Sequence, residues 1–299
     1  MDIIYRYDPY RPIVPRQLED ADAAIEMLTR GHERHVTIVT QVHRELVGDR
    51  STGPIVIPSD PLSLGLPLSS GAPPVQTPFA LVLGCSDARV PIEQIFDQSY
   101  NDLFVIRVAG NVLGVECLGS IDYAVNVLGG SLKLLVVLGH SSCGAVSAAV
   151  DSYLAPRDYA SIAFTHALRS LVDRIQVAVR GAAAALDRLA GPAAQRHADY
   201  KAALVEAAVY LNAAITAYDV RREVDRLAAP SPRVVYGVFD LVQQRVRARP
   251  AGAQAEGPGQ IPVFADVPSG PDDFGTLGAE IARAVVARRL QPRPAGARP

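Results

Sequence analysis

Three short apolar runs constrain this chain more than any other feature: FALVLG at 79–84, DLFVIRV at 102–108 and LKLLVVLG at 132–139. Each is β-branched and apolar without alternation, which suits a strand covered on both faces, and each is followed by a stretch with helical spacing. The pattern predicts parallel βαβ units. Between the second and third runs, VECLGSIDYAVNVLG (115–129) sets Leu118, Ile121, Ala124, Val125 and Leu128 on one face, as a crossover helix would. Residues 142–154 open another helix, 161–229 form an alanine-rich helical region broken near Gly191-Pro192, and RVVYGVFDLV (233–242) returns to strand composition. The expected fold class is α/β, a mostly parallel sheet of four to five strands flanked by helices, with an N-terminal helical arm and a C-terminal extension.

The flanks read differently. Residues 21–47 place Ile25, Leu28, His32, His35, Val39, Val42 and Leu46 at helical spacings, with Gly31 as a weak point in the middle. From 48 to 77 the chain is rich in Pro, Gly and Ser and predicts a long surface connection, since proline removes donors and fixes φ. Beyond 249 the pattern is loop-like, followed by a short amphipathic helix at 276–290 and a Pro/Arg tail. The division is therefore an arm at 1–47, a connection at 48–77, an α/β region at 78–248 and an extension at 249–299.

Composition narrows the class of ligand. With 29 Lys+Arg against 31 Asp+Glu the net charge is -2, and no basic block is present, which argues against nucleic acid or an anionic membrane as partner. The N-terminus lacks the apolar core of a signal peptide, so a cytoplasmic protein acting on a small molecule is expected. Three cysteines cannot make an even disulfide framework, so these thiols pack, bind metal or react.

The chemistry gathers at two strand ends. The first run leads into Cys85-Ser86-Asp87-Ala88-Arg89 and the third into Gly139-His140-Ser141-Ser142-Cys143-Gly144. In a doubly wound sheet the carboxyl ends of parallel strands open onto one crevice, so these segments can converge. Cys143 lies where a helix begins, a setting that favours a thiolate. Two cysteines and one histidine make a three-ligand zinc set, which leaves the fourth position open as catalytic sites do. A lone strand-end Cys, or H-x-x-C by itself, is more often packing than ligand; the weight comes from the combination. His32-Glu33-Arg34-His35 lacks the i, i+4 histidines of a zinc-protease helix and reads as helix surface and packing. His43, His166 and His197 are isolated on predicted helices, and Cys117 at a helix start reads as packed.

CSDAR at 85–89, RVAGN at 107–111 and GHSSCGA at 139–145 together resemble the signatures of the β-class carbonic anhydrases, and the resemblance spans roughly residues 20–245. It departs at Ala88, where the family usually has serine, and at Gly31-His32-Glu33-Arg34-His35, where the family commonly reads G-N-x-R-F. The resemblance implies one zinc per subunit on Cys85, His140 and Cys143, and reversible hydration of carbon dioxide to bicarbonate and a proton by zinc-bound hydroxide. It also implies that Asp87 accepts a hydrogen bond from that hydroxide and that Arg89 holds the carboxylate. In some members the matching aspartate instead ligates zinc at lower pH. By alignment Gln76, Phe104 and Tyr123 match pocket residues of open-site members, and Gly110 lets backbone approach closely in the RVAGN turn. Family members build their sites at dimer interfaces, so a homodimer or tetramer is implied. The competing readings are hydrolysis of carbonyl sulfide or carbon disulfide, and a non-catalytic, bicarbonate-responsive zinc module with Asp87 as fourth ligand.

Overall fold

The computed structural model describes residues 3–7, 18–48, 53–59, 71–227, 231–252 and 261–290. Strands β1 (Ile3–Tyr7) and β2 (Ile55–Ser59) pair in parallel as a ribbon separate from the main sheet. The proline-rich composition predicts a connection there, yet Ile55, Val56 and Ile57 are a β-branched run between Pro54 and Pro58 and take strand geometry. The other parts of that connection, 49–52 and 60–70, lie outside the described residues.

The main sheet has six strands: β3 (Ala80–Gly84), β4 (Leu103–Arg107), β5 (Leu134–His140), β6 (Arg233–Asp240), β7 (Arg245–Arg247) and β8 (Ala265–Asp266). Their order is β4-β3-β5-β6-β7, with β8 also paired to β6. Strands β3 to β6 run parallel, with Ala80 opposite both Leu103 and Leu134, and Leu134 opposite Arg233. Strands β7 and β8 run antiparallel to β6, β7 against Val238–Asp240 and β8 against Val235–Tyr236. The sheet is mostly parallel as expected, but it has six strands where four to five were expected. The added strands are three and two residues long, too short to display a period in sequence.

Every residue of β3 and β5 is buried, as unalternating runs require. Leu81, Leu83, Leu135 and Val137 point into one layer, and Ala80, Val82, Leu134 and Val136 into the other. The helices are α1 (Ala21–Leu46), α2 (Ile92–Ile95), α3 (Val115–Val127), α4 (Gly144–Leu154), α5 (Tyr159–Ile162), α6 (His166–Ala190), α7 (Tyr200–Leu227) and α8 (Pro271–Arg289). Helices α3, α4, α6, α7 and α8 pack on the first face, α1 and α2 on the second. Helix α8 starts earlier than its apolar pattern because Pro271 suits a first turn. It buries Ile281, Ala282 and Val285 in the same core as α6 and α7. Helix α7 is long and apolar enough to cross a membrane by length and composition, but 78% of its apolar window is buried inside the protein, so it is a core helix.

Helix α1 is continuous through Gly31. Asp20 caps it, accepting from Ala23 N at 2.9 Å. A Cβ at position 31 would lie 1.8 Å from the Phe96 carbonyl oxygen, so the glycine is what lets α1 meet the end of α2. The buried face is Ala24, Leu28, Gly31, His32 and Val36. The later members of the predicted stripe are not covered: Val39 and Val42 are half-buried and Leu46 is exposed.

Candidate metal centre

Strands β3 and β5 are neighbours from which the chain departs in opposite directions, β3 leading to β4 on one side and β5 to β6 on the other. Their carboxyl ends therefore flank the switch point at which an open α/β sheet leaves a crevice. Cys85 follows β3, His140 ends β5, and Cys143 is the N-cap of α4. One ligand atom from each lies within 4.8 Å of the others, and all three residues are buried. The segments predicted to converge do so.

The histidine is set up to bind. Its Nδ1 lies 3.0 Å from the Ser141 carbonyl oxygen, which places the proton on Nδ1 and leaves the Nε2 lone pair facing the cluster. Nε2 is buried without a hydrogen-bond partner, a state that costs free energy unless something else occupies the nitrogen. Two sulfurs and one imidazole form a soft donor set that fits a divalent transition ion. A hydrogen bond from Cys143 pushes the Cys85 thiol down, against the effect of burial and aided by the Gly110 and Asp87 N–H groups. The Cys85 sulfur beside it, together with burial, pushes Cys143 up.

Asp87 sits beside this cluster, with Oδ2 3.9 Å from His140 Nε2. Arg89 grips both carboxylate oxygens, Nε to Oδ1 at 2.9 Å and Nη2 to Oδ2 at 2.7 Å, and its backbone N–H donates to Oδ1 at 2.9 Å. This fork holds the Asp87 carboxyl well below the usual carboxylate range. Ala88, the departure from the family pattern, leaves the pair intact.

Two further residues, neither among the candidate site residues of the sequence, complete the frame. Arg107, at the end of β4, donates from Nε to the Cys85 carbonyl at 3.0 Å and from Nη2 to the Asp87 carbonyl at 2.5 Å, tying the ligand loop to the neighbouring strand. Its place at the head of RVAGN is the sequence signal for this role. Asn212 on α7 donates from Nδ2 to the Gly110 carbonyl at 2.8 Å, and nothing local in an alanine-rich helix announces that contact.

The predicted pocket residues are more scattered. Gly110 is buried against the cluster and donates its N–H to Cys85 Sγ at 3.3 Å. Phe104 is half-buried on the edge strand β4, opposite Leu81, with its ring centroid 6.3 Å from that of Tyr123 on α3. The Tyr123 side chain is 48% exposed, and Gln76 is exposed in the segment before β3. Away from the site, His32 is a buried structural group: Nδ1 donates to the Ile95 carbonyl at 3.0 Å and Nε2 accepts from Val246 N at 2.9 Å. Burial pushes it down to about 4. Cys117 packs in the helical core as a free thiol.

The family profile described as carbonic anhydrase matches residues 80–241. Carbonic anhydrase 2 of Mycobacterium tuberculosis strain H37Rv is 56% identical over 75 residues, 25% of this chain and 35% of that protein. The carbonic anhydrase of Pseudomonas aeruginosa is 44% identical over 81 residues, 24% of this chain and 35% of that protein. The chain thus spans about a third of the length of the curated relatives it matches. Among solved structures, the Coccomyxa β-carbonic anhydrase in complex with acetazolamide aligns with a TM-score of 0.45 and 23% identity, covering 57% of this chain and 72% of that one.

Proposed function

Because the chain belongs to the β-class carbonic anhydrase family, we propose that it is a zinc enzyme hydrating carbon dioxide reversibly to bicarbonate and a proton. The observation that carries this is the convergence of Cys85, His140 and Cys143 within 4.8 Å, with an orphaned imidazole nitrogen among them and an arginine-held carboxylate 3.9 Å from it. One zinc per subunit, when bound, would supply a Lewis acid that brings the pKa of a water down to about 7. The protein residues do the rest. Cys85, His140 and Cys143 would hold the ion, three protein donors of the kind that leave a zinc open to a further ligand. Asp87 presents an ionised acceptor beside the cluster and orients the water that adds to the carbon of CO2. Arg89 keeps that acceptor in place, and Arg107 fixes the loop that carries it. For Asp87 to become a fourth ligand, the two Arg89 side-chain bonds would have to break. The ionised, forked carboxylate therefore favours an open site.

Carbon dioxide has no net dipole, so its pocket is apolar. Phe104 and Tyr123 wall it in this reading, and Gln76 receives bicarbonate through its amide. Because Tyr123 is half-exposed and Gln76 exposed, a second copy of the chain completes the pocket as a homodimer or tetramer. Two features support such a pairing: among the described residues no strand pairs with the outer edge of β4, and Leu46 on α1 stands uncovered. Three buried free thiols suit a reducing, cytoplasmic setting.

Stopped-flow proton release at pH 8 to 9 on zinc-loaded protein tests the activity. Acceleration that disappears together with zinc in Cys143→Ala is the expected result. Zinc binding without acceleration would refute the enzymatic reading and leave the bicarbonate-responsive module. A kcat/KM for carbonyl sulfide exceeding that for CO2 in direct competition would replace the substrate.

A further inference from the structure

Asn212 is a buried amide in the middle of α7, among Val209, Leu211, Ala213 and Ala214. A polar side chain in such surroundings needs a partner, and its Nδ2 finds the Gly110 carbonyl at 2.8 Å, 102 residues away in sequence. Gly110 is itself constrained: φ is 70° and ψ 15°, and an added Cβ would lie 2.8 Å from Ile175 Cδ1 and 3.1 Å from Ala145 Cβ. Its N–H donates to Cys85 Sγ at 3.3 Å. One glycine is thus held at its carbonyl by α7 and holds a ligand sulfur at its amide. Helix α7 also packs on Gly139, next to His140, where a Cβ would meet Ala213 Cβ at 3.4 Å and Val209 Cγ1 at 3.6 Å.

We propose that Asn212 is a positioning residue for the metal centre: through Gly110 it fixes the N–H···S hydrogen bond on Cys85 and so sets how strongly that sulfur donates to the ion. The proposal rests on the zinc reading above. An N–H donor draws electron density from a thiolate, and partners of this outer kind orient and tune the ligands that bind the metal directly. Without Asn212 the Gly110 carbonyl is buried and unpaired, the turn relaxes, and Cys85 loses its defined donor.

The test loads the full chain with cobalt(II) in place of zinc and records the sulfur-to-cobalt charge-transfer band, alongside zinc affinity measured against a competing chelator. Asn212→Leu keeps the side-chain shape and removes the donor. Leu211→Val, buried on the same helix, controls for general loss of packing. In Asn212→Leu the band is expected to move to longer wavelength as the sulfur regains electron density, and zinc to bind about 10- to 100-fold more weakly as Cys85 loses its fixed position, with kcat reduced and KM unchanged; Leu211→Val keeps the wild-type band and affinity. A wild-type band and affinity in Asn212→Leu, or equal shifts in Leu211→Val, would overturn the proposal. If Asn212→Leu does not fold, Asn212→Ala removes the same bond without adding bulk and is judged by the same two readouts. Wild-type protein that binds no cobalt, or binds it without a thiolate band, would instead sink the metal reading on which the proposal stands, so the two failures are distinct.

Discussion

Lowering the pH should unfasten α1 from the sheet at His32. The imidazole is 3% exposed and spends both nitrogens on backbone, Nδ1 on the Ile95 carbonyl and Nε2 on the Val246 N–H. A proton on Nε2 would set donor against donor, and burial already disfavours the charge. The ordinary value of 6.5 is accordingly lowered to about 4. The unfolded chain takes the proton first, so His32 contributes its full stability above pH 6.5, loses it as pH falls to 4, and contributes nothing further below. At about 1.4 kcal/mol per pK unit the whole effect is about 3 kcal/mol, of which about 2 kcal/mol is gone by pH 5. His32→Asn removes the titration. Urea unfolding of both proteins at pH 7.5 and pH 5 should show the wild type losing about 2 kcal/mol more than the variant. His35, also lowered by burial, and the metal site are present in both proteins and largely cancel in the difference. Parallel stability profiles, or a His32 NMR titration midpoint near 6.5, would refute the reasoning.

Two other substitutions probe the frame. Gly31→Ala would drive a methyl into the Phe96 carbonyl and should destabilise the fold by about 2 kcal/mol or more through overpacking, read as a drop in the urea midpoint; an unchanged midpoint would mean that α1 and α2 do not meet so closely. Arg89→Ala removes both side-chain donors from Asp87 and lets its pKa rise toward the ordinary range. CO2 hydration should fall about 10-fold or more with zinc content unchanged, and full activity would show that the fork does not orient the carboxylate.

What could be read in advance was what repeats locally. Strands β3, β4, β5 and β6 fall within a residue or two of the apolar runs; the burial expected on both faces holds along β3, β5 and most of β6, while the edge strand β4 is only half-buried. Helix α3 buries Ile121, Ala124 and Val125 as its spacing required. The three candidate ligands were legible because Cys85 and His140 stand at the ends of β3 and β5 and Cys143 opens α4, elements the pattern defines. Strands β7 and β8 were not, since two or three residues show no period and their pairing is decided by β6. The same limit hid Asn212 and Arg107: each acts by a hydrogen bond to backbone distant in sequence, and a single polar residue in a helix or at a strand end looks alike whether or not such a partner exists. Gly31 misled in the other direction, weakening a helix on propensity when its lack of a side chain is what seats that helix.

The outer edge of β6 is shared between β7 and β8, both antiparallel to it and neither longer than three residues. That flank offers no continuous row of free backbone groups, whereas β4 at the opposite flank offers five residues. Among the described residues, the β4 edge is thus where the main sheet can take on a strand from a second copy, edge to like edge. A pairing through β4 would leave the main sheet's opposite flank with only the short, interrupted backbone rows of β7 and β8 to offer a further strand.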